Sequence, residues 1–131
     1  MNNTKKPSLP TESELDILHI LWDHGAATVR QVHDYLSKTK PSQYTTTLKL
    51  MQIMADKGLV ERDETDRSHV YTPRLTRETV QRQMAANLMN RVFGGSARSL
   101  LLGALEAKRA SKKELAELRQ LIDDHEKGNK R

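Results

Sequence analysis

One glycine, Gly58, stands between two stretches whose order constrains the fold more than any other feature of the chain. Before it, the run SQYTTTLKLMQIMADKG from Ser42 to Gly58 places Thr47, Leu50, Met51 and Met54 at the spacing of one helix face. Thr45, Thr46, Lys49 and Gln52 fall elsewhere on the same cylinder, so such a helix can be held by its back and read by its front. After it, GLVERDETDRSHVYTP reads as a strand, a charged turn and a second strand.

The chain ahead of this helix predicts two more. Residues 1–10, MNNTKKPSLP, show no periodicity and are expected to be a mobile tail. TESE then gives a capping box, Thr11 with Glu14, and Leu15, Leu18, Leu21 and Trp22 follow at helical spacing until Gly25 stops the helix near His24. TVRQ repeats the box with Thr28 and Gln31 and opens a short helix with Val29, Val32 and Leu36 inward, ending near Ser37. Pro41 biases Lys40 away from helical geometry, which makes Ser42 the expected N-cap of the third helix. Leu59 to Arg62 and SHVYT are expected to pair across the DETDR turn, with Arg67 near its tip. Three helices followed by a β-ribbon is the order a winged helix-turn-helix leaves in a sequence. Residues 11–75 are therefore expected to form a DNA-binding domain, with Ser42 to Lys57 in the major groove. Thr45 and Thr46 can offer a hydroxyl or methyl to base edges, Lys49 can reach a guanine or a phosphate, and Arg67 can meet a phosphate or the minor groove.

From residue 76 the pattern becomes wholly helical. Thr76 can cap a long helix carrying Val80, Met84, Leu88, Val92 and Phe93 on one side, and Gly94 and Gly95 break it. Ser96 caps a second helix in which Leu100, Leu101, Leu102 and Leu105 are apolar nearly all round. SKKE gives a third capping box, Ser111 with Glu114, and opens a last helix with Leu115, Leu118, Leu121 and Ile122 expected inward, before a frayed basic end, KGNKR. Three short helices cannot hide this much apolar surface. Residues 76–131 are thus expected to form a three-helix dimerisation domain through Val92, Phe93, Leu100, Leu101, Leu102, Leu105, Leu118 and Ile122. Composition agrees: Leu, Ile, Val and Phe total 28 of 131 residues, a thin core that association with a second copy would complete.

The net charge of +5 points to a polyanionic partner, but the surplus is uneven. Residues 1–75 carry 10 Lys or Arg against 10 Asp or Glu, and residues 76–131 carry 12 against 7. A DNA-binding first domain must then sort its charges by face, turning the acids between Glu12 and Asp23, and Asp56, away from DNA. The chain has no Cys, hence no thiolate metal site and no cysteine nucleophile, which suits a reducing cytosol. No apolar run is long enough for a signal peptide or membrane span. His19, His24, His33, His69 and His125 form no metal-ligand pair, and no phosphate loop or nucleophile signature occurs, so neither an enzyme nor a cofactor or metal site is expected.

The segments ELDILHILWDHGAATVRQVHDYL, YTTTLKLMQIMADKGLVERD, SHVYTPRLTRE, VFGGSARSLLLGALE and SKKELAELRQLI together resemble the penicillinase repressor family (BlaI/MecI/CopY) from residue 12 to about 126. The resemblance implies a homodimeric bacterial repressor with a winged helix and a helical dimerisation domain, binding palindromic operators of paired TACA/TGTA type, and the lack of Cys and of a long apolar run adds the expectation of a cytoplasmic protein. By motif, Tyr44, Thr45, Thr46 and Lys49 fall on the DNA-reading part of the third helix. Three departures bear on function. Many members have Thr at the position of Lys49 and Arg at that of Ile53, so base preference and phosphate contacts are expected to differ here. Copper-responsive members carry C-terminal cysteines, which this chain lacks. In members induced through a β-lactam sensor, a protease cuts an Asn-Phe bond where this chain has Gly103-Ala104, so release by another cut or by a ligand is expected. The rival reading is a winged-helix protein-interaction module using the same surface, kept alive by the charge neutrality of residues 1–75 and separable by the salt dependence of binding.

Overall fold

The computed structural model describes residues 9–128. The elements run α1 (Glu12–His24), β1 (Ala27–Thr28), α2 (Val29–Ser37), α3 (Tyr44–Asp56), β2 (Val60–Asp63), β3 (Val70–Pro73), α4 (Arg77–Val92), α5 (Ala97–Ala107) and α6 (Lys112–Gly128). The chain divides into two compact units, the division falling after Ala85 within α4. No helix among the described residues is long and apolar enough to cross a membrane, and no group of His, Asp or Glu there could hold a metal ion.

In the first unit both capping boxes form. Thr11 Oγ1 accepts from the Glu14 amide at 3.2 Å while Glu14 Oε1 accepts from the Thr11 amide at 2.9 Å, and Thr28 and Gln31 do the same at α2. Gly25 stops α1 at φ 89°, its amide donating to Leu21 O. At the end of α3 the Leu59 amide donates to Met54 O and the Gly58 amide to Ala55 O, a Schellman motif that needs the left-handed φ of 81° at Gly58. That motif turns the chain from α3 straight into β2.

The sheet has three antiparallel strands in the order β1-β3-β2. Arg62 pairs with Tyr71 in the wing hairpin, and on the other edge Ala27 pairs with Tyr71 and Thr28 with Val70. β1 was not expected from the sequence; Thr28 serves at once as its last residue and as the α2 cap. Ile17, Leu18, Leu21, Val32, Met51, Met54 and Tyr71 form the core, with Leu50 only half-buried beside it. Leu15 is also half-buried, and Ile17 takes the central place in α1.

One charged group lies inside this core. The Glu14 carboxylate accepts from Lys57 Nζ at 2.7 Å, tying the start of α1 to the end of α3. Burial raises its pKa, but hydrogen bonds from Lys57 and the Thr11 amide, together with the Lys57 charge, outweigh that and hold the carboxyl below its usual range. The first turn of α4 is tied to α1 in turn, because Trp22 Nε1 donates to Leu75 O at 3.0 Å and Arg77 pairs with Asp23.

Two terminal expectations change. Pro10 is buried rather than part of a tail, whereas the rest of that stretch up to residue 8 lies outside the described residues. α6 extends through Lys127 and Gly128, and the remaining three residues lie outside as well.

In the second unit, Ser96 and Ser111 cap α5 and α6 by accepting from the amides of Ser99 and Glu114, but the return bond from the Ser111 amide to the Glu114 carboxylate that a full capping box needs does not form. Gly94 and Gly95 make the preceding turn at φ 59° and 82°. Neither α5 nor α6 has a buried residue. Phe93, Leu100, Leu105, Leu115 and Leu118 are half-buried, while Val92 is 64% exposed, Leu121 52% and Ile122 51%, with Leu88, Leu101 and Leu102 also open. The inward placement expected for Leu121 and Ile122 therefore does not occur within a single chain. The Phe93 ring lies so close to α5 that a Cβ on Gly103 would stand 3.2 Å from it, which accounts for glycine inside that helix.

Candidate nucleic-acid interface

α3 buries Thr47, Met51 and Met54, so the opposite side of the helix, 3.6 residues per turn, must carry Thr45, Thr46, Lys49, Gln52, Ile53 and Asp56. All six are exposed, and Lys49 stands near the middle of the arc. The first turn of α3 does not use Ser42 as a cap. Gln43 occupies the N-cap with no side-chain hydrogen bond, and Ser42 sits one residue outside the helix. Tertiary contacts hold the helix start instead: the Arg30 guanidinium lies 4.3 Å over the Tyr44 ring, and the His33 ring meets the same ring edge-on at 5.7 Å. His33 is itself fixed by hydrogen bonds to Thr47 Oγ1 at 3.2 Å and Ser37 Oγ at 3.3 Å, linking α2 to α3.

The expected contact residues fall on three sides of α3. Thr45 and Lys49 point outward. Tyr44, Leu48 and Gln52 face the wing across a groove of about 460 Å³, whose other wall includes Arg30, Arg62, Arg67 and His69. Ser42 and Thr46 border a separate recess of about 190 Å³ with Lys40 and Asp16. The structure thus brings Tyr44 and Arg67 together and sets Ser42 and Thr46 apart from them.

Three arginines, Arg30, Arg62 and Arg67, line the groove against one acid, Glu64. Among the described residues neither Arg30 nor Arg67 has an acidic partner within salt-bridge distance, nor does Lys49. Arg62 is different. Its contact with the Tyr71 side chain and a 2.7 Å hydrogen bond from its Nε to Glu64 raise its pKa above the ordinary value and pin it to the wing. The wing turn is locked by Asp63, whose Oδ1 accepts from both the Thr65 hydroxyl and the Thr65 amide, contacts that lower its pKa. Arg30, Arg62 and His69 were not singled out from the sequence as groove residues. Arg30 had a faint signal, as a cation two residues into a capped helix, but its stacking partner is 14 residues away.

The sorting of acids by face is only partly met. Glu14 is internal and Asp23 is paired with Arg77, but Asp16 borders the recess beside Thr46, and Asp56 lies on the exposed arc at its far end.

This geometry has counterparts. The chain is similar to the penicillinase repressor of Bacillus licheniformis, with 26% identity over 96% of this chain and 98% of that one. It is also similar to the transcriptional regulator BlaI of Mycobacterium tuberculosis, with 33% identity over 88% of this chain and 84% of that one. Among solved structures, the DNA-binding domain of the repressor BlaI aligns with a TM-score of 0.51 at 26% identity, covering 56% of this chain and 90% of that one. The family model described as penicillinase repressor matches residues 10–124, nearly the full length, and the chain belongs to that family.

Proposed function

We propose that the chain is a homodimeric, sequence-specific transcriptional repressor that binds a palindromic DNA operator from the cytoplasm. Residues 11–75 act as the DNA-binding domain and residues 76–131 as the dimerisation domain. The observation that carries this reading is the exposed arc of α3 centred on Lys49, flanked by a groove in which Arg30 and Arg67 have no acidic partner among the described residues. Guanidinium groups without a carboxylate partner among the described residues, beside an outward helix, suit phosphates flanking a major groove, and membership of a repressor family agrees. In this reading Thr45, Thr46 and Lys49 address base edges, Tyr44 and Ser42 border the contact, and Arg67 with Arg30 positions the backbone. Val92, Phe93, Leu100, Leu101, Leu102, Leu105, Leu118 and Ile122 meet a second copy.

Release from DNA is by separating the two copies, since affinity for a palindrome depends on both reading helices binding at once. Gly103-Ala104 lacks the side chains of an Asn-Phe bond, so the inducer is a protease of other specificity or a ligand that opens the dimer. Probing β-lactam-treated source cells for a fragment ending near residue 103 tests this point; a clean fragment would contradict it.

The experiment for the main reading is selection of bound fragments from the source genome, followed by affinity measurements over a range of salt. Enrichment of one palindromic sequence and a steep linear fall of log affinity with log salt are expected. No enrichment and a flat salt response would transfer the surface to a protein partner.

A further inference from the structure

The outward arc of α3 is polar except at one place. Ile53 is 38% exposed, and among the described residues it is the one large apolar side chain exposed in the first unit; the other six all belong to the second. It sits one helical turn beyond Lys49, with Gln52 beside it and Asp56 a further turn along. A lone side chain amid polar neighbours is far too small to be a protein docking face. A base-pair edge in the major groove offers one apolar group, the C5 methyl of thymine.

We propose that Ile53 is a specificity-determining residue that packs against a thymine methyl in each operator half-site. The inference rests on α3 being the DNA-reading helix. Four residues separate Ile53 from Lys49, about 6 Å along the axis, so the thymine lies within about two base-pair steps of the base or phosphate that Lys49 meets. β-Branching holds Ile53 to one preferred χ1 in a helix, so its methyl groups are presented with little further loss of freedom on binding.

The test uses the full chain and the DNA recovered by selection, resynthesised with deoxyuridine in place of each thymine in turn, which deletes only the methyl. For the wild-type protein, one position per half-site should lose about fourfold in affinity on this change, the order expected for one buried methyl group. Ile53→Ala should bind the unmodified DNA about as the wild type binds the uracil form, and should be indifferent to uracil at that position. Ile53→Val should retain part of the discrimination. Because the side chain is exposed, thermal unfolding of both variants should match the wild type. The proposal is overturned if no thymine methyl matters to the wild-type protein, or if Ile53→Ala remains equally sensitive to its removal. Either result leaves the DNA-binding reading standing, provided the wild type binds the selected sequence. Failure to enrich any sequence removes that reading and this inference together.

Discussion

The two units solve the problem of a thin core in opposite ways. The first hides Ile17, Leu18, Leu21, Val32, Met51, Met54 and Tyr71 almost completely, drawing on three helices and a three-stranded sheet. The second buries no residue among those described and leaves Val92 of α4, Leu101 and Leu102 of α5 and Leu121 and Ile122 of α6 open to solvent. Both units contain capped helices, so helix formation alone does not separate them. The difference lies in whether one chain supplies its own partner surface: the N-terminal unit does, and the C-terminal unit leaves its apolar faces uncovered.

The largest effects should come from cutting into either solution. Ile17→Ala leaves a cavity in the closed core and should cost about 2–5 kcal/mol, read by denaturant unfolding as a loss that does not vary with protein concentration. Leu101→Asp attacks the open face, where dimerisation would bury an unpaired carboxylate at a cost of about 3–5 kcal/mol. It should yield monomers that bind an operator weakly while the first unit unfolds at its normal midpoint. If Leu101→Asp leaves both mass and DNA binding unchanged, the contrast between the units has another cause.

Smaller effects sharpen the account within the first unit. Glu14→Gln removes the buried carboxylate from Lys57 and should cost about 1–2 kcal/mol at neutral pH. The sign with pH follows from the lowered folded pKa: the stabilisation is present above the unfolded Glu value and is lost as pH falls through the folded one. The wild type should therefore lose stability on the acid side more steeply than Glu14→Gln, as measured by unfolding at a series of pH values. Smallest are the surface changes. Arg67→Ala should weaken binding to all sequences about equally and flatten the salt slope by about one unit, whereas Thr46→Ala should relax sequence preference. If both leave affinity and selectivity untouched, the surface has been misassigned.

What could be read from the sequence was mostly what is local. The boxes Thr11/Glu14 and Thr28/Gln31 and the stop at Gly58 depend on residues within a turn of one another, and they form as expected. β1 could not be read, because two residues are too few to show alternation and their pairing with Val70 and Tyr71 spans more than forty positions. The same distance hid the Glu14–Lys57 pair, where a residue serving a local cap is also a buried ion. At the site, periodicity found the outward arc of α3. It could not find Arg30, which stacks on Tyr44, and the cap that Pro41 pointed to at Ser42 falls one residue later, at Gln43. The exposed leucines of α5 were legible as a surplus of apolar surface, while the placement of Leu121 and Ile122 was not, since periodicity names a face without naming what covers it.

The most direct test of the central contrast is the mass of the wild-type chain in solution. Sedimentation equilibrium at tens of micromolar should give twice the 15.0 kDa chain mass, because helices whose apolar faces find no cover at home should be covered by a second copy. A mass of 15.0 kDa throughout that range would contradict the account.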